Sequence, residues 1–362
     1  MGFTCGLVGL PNAGKSTIFN ALTQAGARVE SYPFCTIEAN VGSVPVPDRR
    51  LDRLSSVFPD KTKVPTHLDF VDIAGLVENA SRGEGMGNQF LSEIRSVDAV
   101  AHIVRCFEDP NVAHVTGTVD PRRDIEIIET ELLLKDHETL DRVAKRLHQE
   151  AKGKDRNAPQ RAEACDRLLD KVASGIAVRD AEPDHILEPL LREVSPLTAK
   201  PCLFVANVGD DGSAEAFNVV LAEAQSRGAE AVAIRGRLEA EIAEVSADPD
   251  ERATFLTEYG LEETGLSSLV RTGYRLLHLV TFFTFEGPEV RAWTVPAGTI
   301  APEAGRKIHT DFAERFILAE VMNLDELCDA GSEKPLREHG KIHRAGHDYQ
   351  VLDGDVVRFV CS

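Results

Sequence analysis

Apolar residues fall in short runs along the first three-quarters of the chain, most of them too short for a helix. Phe3–Gly9, Thr66–Val71, Ala99–Phe107, Cys202–Ala206 and Ala229–Ile234 each read as a strand that is apolar on both faces. Helical spacing lies between them, at Lys15–Leu22 and Glu215–Arg227, and follows them at Gly265–Leu277. Near-continuous apolar strands alternating with helices predict an α/β domain with a parallel sheet covered on both faces.

The stretch between Phe107 and Cys202 is too long for one crossover and changes character. From Asp124 to Leu191 it is rich in Glu, Leu, Lys, Arg and Ala, and Leu133, Leu140 and Leu147 recur every seven residues. Leu168, Leu169, Val172 and Ile176 resume the stripe after a break near Gly153–Pro159. This pattern predicts two long antiparallel helices, a helical hairpin inserted into the α/β domain. After Leu277 the runs Leu279–Phe285, Val290–Val295, Tyr349–Leu352 and Val356–Val360 predict a small mixed β domain, with Asp353-Gly354 as a hairpin turn. The boundaries expected are 1–125 with 199–278 for the α/β domain, 126–198 for the insertion, and 279–362 for the last domain.

Composition changes this picture little. The 362 residues are 43% hydrophobic and 27% charged, an ordinary globular chain of two or three domains rather than a fibrous, mucin-like or disordered one. Seven scattered cysteines without a Cys-x-x-Cys pair argue against a disulfide framework or a zinc ribbon. No apolar run is long and apolar enough to span a bilayer. Gly2–Leu10 leads into a motif instead of a cleavage site, and Gly6 breaks the myristoylation pattern. A cytoplasmic protein without a membrane partner is expected. The net charge of −19 opposes non-specific binding to bare nucleic acid.

Chemistry enters with Gly9-Leu10-Pro11-Asn12-Ala13-Gly14-Lys15-Ser16-Thr17, which fits G-x-x-x-x-G-K-[ST] between a strand and a helix. Glycines let such a loop turn its amides toward phosphates, Lys15 supplies charge to the β- and γ-phosphates, and the Ser16 hydroxyl ligates Mg²⁺. Asp72-Ile73-Ala74-Gly75 follows a strand, so Asp72 is placed to hold Mg²⁺ and Gly75 to offer its amide to the γ-phosphate. Thr36 is the candidate switch threonine that reaches Mg²⁺ when the γ-phosphate is present. The glycine-rich stretch Ser81–Gly87 suits a segment that orders and disorders. Leu76 stands where Ras-like enzymes carry the glutamine that orients water, so intrinsic hydrolysis is expected to be slow or to use another group. His114, in the loop after Phe107, is the candidate, whereas His102 falls mid-strand and reads as a core histidine. Asn207-Val208-Gly209-Asp210 occupies the place of the guanine-reading N-K-x-D but lacks its lysine, which leaves the base open.

These residues resemble the YchF/Obg-like ATPase family. The resemblance runs through the loop with Asn12, Phe34–Glu38, Asp72–Val77, Gly83–Leu91, Val290–Val295 and Lys307–Phe312, and covers essentially the whole chain. It implies a Ras-like P-loop domain, an inserted coiled-coil hairpin and a C-terminal TGS domain of β-grasp type. It also implies a ribosome-associated ATPase that regulates translation or a stress response. Leu76 matches the family's hydrophobic replacement of the catalytic glutamine. The family's base motif reads N-x-x-E, and Asp210 departs from it, which keeps GTP in view. Asn12 resembles that of potassium-activated relatives, making K⁺ a second candidate cation.

Residues 142–161 hold seven basic side chains (Arg142, Lys145, Arg146, Lys152, Lys154, Arg156 and Arg161) against Glu150 and Asp155. A basic tip on a projecting hairpin suits ribosomal RNA. Arg291, Arg306, Lys307, His309, Lys341, His343 and Arg344 offer a second surface in the terminal domain. Two alternatives stay open: a GTP-specific switch, and a nucleotide-gated binding protein with incidental turnover.

Overall fold

The computed structural model describes residues 3–24, 28–29, 40–73, 86–153, 157–182, 184–210, 214–245, 259 and 263–362. The chain forms two compact units, Met1–Val44 with Asp69–Gly273, and Pro45–Leu68 with Tyr274–Ser362.

Among the described residues the first unit builds a seven-stranded sheet. Its strands are β1 (Thr4–Val8), β2 (Arg28–Val29), β3 (Asn40–Pro45), β5 (His67–Asp72), β6 (Ala99–Cys106), β7 (Cys202–Val208) and β8 (Ala231–Ile234). Their order is β2-β3-β5-β1-β6-β7-β8. β1 runs parallel to β5 and β6, and β6, β7 and β8 continue in parallel, while β2 and β3 are antiparallel. β6 and β7 are buried at every position, which is why their sequences are apolar without alternation. Register sets Asn207 opposite Arg105 on one side and Ile234 on the other. The carboxyl ends of these strands therefore converge, the place where ligands bind in open α/β sheets.

Helices α1 (Lys15–Gln24), α3 (Met86–Ser96), α7 (Ala214–Ser226), α8 (Gly236–Val245) and α9 (Gly265–Leu276) follow or flank the strands. The longest helix, α4 (Pro121–Glu150), starts sharply because the Asp120 side chain accepts from the Arg123 amide and Pro121 occupies its first turn. At 30 residues it extends about 45 Å. Its first half packs on the sheet through Ile125, Ile128 and Leu132. Its second half packs with α5 (Ala158–Ala173) around Leu140, Leu147, Cys165 and Leu168, a separate apolar core. Glu129 pairs with Arg179 through two 2.9 Å bonds, and buried Asp136 accepts from Leu197 N, Thr198 N and Thr198 Oγ1. These contacts fix α4 to the segment that returns to β7. The second predicted helix is shorter than the sequence indicated: after Ala173 come a 3₁₀ turn (Val178–Asp180), α6 (Glu188–Val194) and another turn (Leu197–Ala199).

The second unit contains a six-stranded sheet among the described residues, ordered β12-β11-β13-β9-β10-β4. Five strands come from its C-terminal part: β9 (Leu279–Thr284), β10 (Glu289–Pro296), β11 (Phe316–Asn323), β12 (His343–Ala345) and β13 (Asp355–Cys361). The sixth, β4 (Thr62–Val64), and helix α2 (Arg49–Val57) come from residues 45–68, which the sequence boundaries put with the α/β domain. β4 runs parallel to β10, and Lys61 donates to the carbonyls of Phe285 and Gly287. Leu51 and Leu54 of α2 bury against Phe283, Phe285 and Met322. The opposite face packs Phe282 and Phe359 against Ala301 and Ala304. The hairpin expected at Asp353-Gly354 does not form. Gln350 makes only an isolated bridge to Ile300, and Asp353 instead accepts from the Thr281 amide and pairs with Arg50.

No helix among the described residues is long and apolar enough to cross a membrane.

One buried carboxyl sets a pH dependence. Glu239 of α8 is 3% exposed, accepts from the Gly265 amide, and leaves Oε2 without a hydrogen-bond partner among the described residues. Burial pushes its pKa from 4.5 to about 7. The folded protein therefore holds a proton that the unfolded chain releases. The Glu239 contribution is intact below about pH 4.5 and is lost as pH rises through about 7. Glu239→Gln is expected to raise stability at pH 8 by about 1–3 kcal/mol, with the gain vanishing near pH 4.5. Denaturant titrations at both pH values check it.

Candidate functional site

β1 ends at Val8 and the chain turns through a loop that only certain residues can form. Gly14 has φ +93°, and a Cβ there would lie 2.1 Å from Asn207 Nδ2, so the loop requires glycine. Asn12 takes φ 62°, which asparagine tolerates better than most residues. Lys15 opens α1 and is buried. Its Nζ donates to the carbonyls of Gly9 at 3.0 Å and Leu10 at 3.1 Å. Burial lowers the Lys15 pKa, with the Asp72 charge opposing.

Ser16 Oγ lies beside Asp72, donating to Oδ2 at 3.0 Å. Burial raises the Asp72 pKa despite the Ser16 hydrogen bond and the Lys15 charge. Lys15 is thus a buried cation short of an anion, and Asp72 a half-buried anion short of a cation. A triphosphate with a hard divalent ion meets both needs, and hydroxyl and carboxylate oxygens are the donors Mg²⁺ takes. Thr36, Gly75, Leu76, Cys35 and the stretch from Ser81 to Gly85 lie outside the described residues.

At the end of β7, Asn207 is 4% exposed and both ends of its carboxamide are used. Nδ2 donates to Ala13 O at 2.9 Å, and Oδ1 accepts from Gly236 N at 3.0 Å. One side chain thereby ties the phosphate loop to the turn after β8. Val208 is buried beside it and lines a cavity of about 360 Å³ with Phe217, Ala233, Arg235 and Glu239. Asp210 is exposed, and Thr17 sits exposed in the first turn of α1.

The loop between β6 and α4 is strapped to the phosphate loop. Asn12 Nδ2 donates to Ala113 O at 3.0 Å. Buried Arg105, stacked on Phe107, donates to Val112 O at 2.9 Å and Phe107 O at 3.2 Å. His114 follows, and its side chain is only 4% exposed. Nε2 lies 2.8 Å from Asp124 Oδ2, and Nδ1 accepts from the Thr116 amide at 3.2 Å. Both ring nitrogens are engaged, so His114 does not stand open to a substrate here. His102 is buried against Phe204, with burial pulling its pKa to about 3, as a core histidine requires. Sequence reasoning missed Arg105, Thr116 and Asp124. The only available signals were a charge inside an apolar strand and the Asp120-Pro121 helix start.

Gly14→Ala is expected to weaken nucleotide binding by about 100-fold or more, because the methyl group must displace the Asn207 amide and the backbone must leave φ +93°. Calorimetric titration with nucleotide checks this, and unchanged affinity would contradict the geometry.

A family model described as 50S ribosome-binding GTPase matches residues 4–140, and the YchF-GTPase C-terminal model, described as a protein of unknown function, matches 279–362. The chain is 45% identical to the ribosome-binding ATPase YchF of Escherichia coli O157:H7, over 99% of both chains. It is equally similar, at 45% over 99% of both, to the protein of that name from Bacillus subtilis. Among solved structures, the YchF GTPase of Schizosaccharomyces pombe superposes with a TM-score of 0.86 at 30% identity, covering 99% of this chain and 97% of that one. Full-length identity at this level, on a chain that folds around this phosphate loop, makes the protein a member of the YchF family.

Proposed function

We propose that this protein is a ribosome-associated ATPase that hydrolyses ATP to ADP and phosphate and regulates translation or a stress response through its nucleotide state. The observation that carries this reading is the Lys15–Ser16–Asp72 cluster, a buried cation beside a half-buried carboxylate at the end of the phosphate loop, on a chain 45% identical to proteins named ribosome-binding ATPases. Asn12 through Thr17 cradle the phosphates. Ser16, Thr36 and Asp72 would hold Mg²⁺, which would supply positive charge to the phosphates. Lys15 turns from the Gly9 and Leu10 carbonyls to the phosphates, and the Gly75 amide meets the γ-phosphate. Water attacks in line. Leu76 cannot orient that water, so His114 takes the task once its loop releases Nδ1. Asn12 keeps its Oδ1 available for K⁺, since its hydrogen bond to Ala113 uses Nδ2.

Asn207, Val208 and Asp210 receive the base. Asp210 has the acid of guanine-reading motifs, and the Schizosaccharomyces pombe relative is named a GTPase, so a GTP-specific switch is the second reading. Val208 in place of lysine favours adenine.

The helical insertion, 126–198, and the terminal domain, 279–362, read as the coiled-coil and TGS elements through which the protein meets the ribosome. Both elements offer basic side chains to RNA. In the terminal domain Arg291, Arg306, Lys341 and Arg344 each pair with a carboxylate, of Glu289, Glu303, Glu326 and Glu320. In the insertion Lys145, Arg146 and Arg161 likewise pair, with Asp141, Glu193 and Glu150, while Arg142 donates to Glu138 O and Thr139 Oγ1. A cytoplasmic location follows from a ribosomal partner.

Ribosomes added to the purified protein are expected to raise ATP turnover severalfold. Turnover that ignores ribosomes, with binding intact, would favour a nucleotide-gated binding protein. His114→Ala is expected to lower kcat by about tenfold or more with nucleotide affinity within about twofold; equal turnover would remove His114 from the mechanism.

A further inference from the structure

The hydrogen bonds around His114 fix which of its nitrogens can serve a reaction. A backbone amide can only donate, and the Thr116 amide donates to Nδ1 at 3.2 Å. Nδ1 is therefore the lone-pair nitrogen of the neutral ring, and Nε2 carries the proton, donated to Asp124 Oδ2 at 2.8 Å. Thr116 Oγ1 also lies 2.9 Å from Nδ1. Asp124 is held rigidly. It sits in the first turn of α4, its side chain is buried, and α4 is fixed to the unit by the Glu129–Arg179 pair and the Asp136–Thr198 bonds.

The other end of the loop is equally constrained. Asn12 and Arg105 grip the carbonyls of Ala113 and Val112, immediately before His114. The histidine thus hangs between the phosphate loop and the root of α4. The group that occupies Nδ1 belongs to Thr116, two residues further along the same loop. Exchanging that partner needs a local change in the turn, while the Asp124 bond to Nε2 and the Asn12 bond to Ala113 persist.

We propose that Asp124 is a positioning residue for nucleotide hydrolysis: it locks His114 in the Nε2–H tautomer, so that Nδ1 accepts a hydrogen bond from the attacking water when Thr116 gives way. Thr116 stands in for that water in the structure described here. This rests on the reading of His114 given above, and holding the wrong tautomer would present a donor where the water needs an acceptor.

The test uses the full-length protein labelled with ¹⁵N-histidine, with His114→Gln to assign the signals. A pyridine-type Nδ1 and a pyrrole-type Nε2 are expected for His114, and this readout needs neither turnover nor a variant of Asp124. Asp124→Asn can present either amide atom to Nε2, so the tautomer lock is lost. Its kcat is expected to fall about tenfold, with KM within about twofold. Asp124→Glu should restore part of the loss. The double variant Asp124→Asn with His114→Ala should turn over no more slowly than His114→Ala alone, because both changes remove one function. A protonated Nδ1 in the native protein overturns the proposal, as does an unchanged or raised kcat for Asp124→Asn. Normal turnover by His114→Ala would sink the reading of His114 itself. A His114-dependent enzyme indifferent to Asp124 would sink only this proposal.

Discussion

The carboxamide of Asn207 is the point from which the nucleotide cradle is built. Its amide nitrogen holds Ala13 O in the phosphate loop, and its oxygen holds the Gly236 amide in the turn after β8. The two loops come from opposite ends of the first unit's sequence, yet one buried side chain sets the spacing between them. Its demands spread outward. A Cβ at Gly14 would lie 2.1 Å from Asn207 Nδ2, and one at Gly236 2.8 Å from Oδ1, so both neighbours must be glycine. The parallel register that puts Asn207 between Arg105 and Ile234 then carries the constraint into the strands.

Around that fixed frame the site leaves charge unsatisfied. Among the described residues Lys15 donates to two carbonyls, and burial lowers its pKa while raising that of Asp72. Burying charge without full compensation is costly, and a ligand that supplies the missing partners recovers that cost on binding. The loop with His114 behaves differently, since every nitrogen of its imidazole is satisfied. The two parts of the site thus differ: Lys15 and Asp72 have pKa values shifted by burial, whereas both ring nitrogens of His114 are already engaged.

The phosphate loop and the strands of the first sheet were legible because each signal is local. A strand buried on both faces is apolar without a break, and G-x-x-x-x-G-K-S needs no tertiary context. Residues 45–68 were not legible as part of the second unit. α2 is a short amphipathic helix and β4 has three residues; only the Leu51–Phe285 core and the pairing with β10 assign them. At Asp353-Gly354 the turn itself forms, the Asp355 amide donating to Leu352 O, but the residues before it do not pair with β13, and Asp353 accepts from Thr281 and pairs with Arg50. In the site, Lys15, Ser16, Asp72 and Asn207 were readable from motifs. Arg105 and Asp124 were not, since they act on a loop whose path no sequence pattern records.

The most direct measurement is titration of the purified protein with fluorescent ADP and GDP analogues in the presence of Mg²⁺. Clearly tighter binding of the adenine nucleotide is expected, with the strand end at Val208 deciding the base. Tighter binding of the guanine nucleotide would contradict it, and would make Asp210 the base-reading residue of a GTP switch.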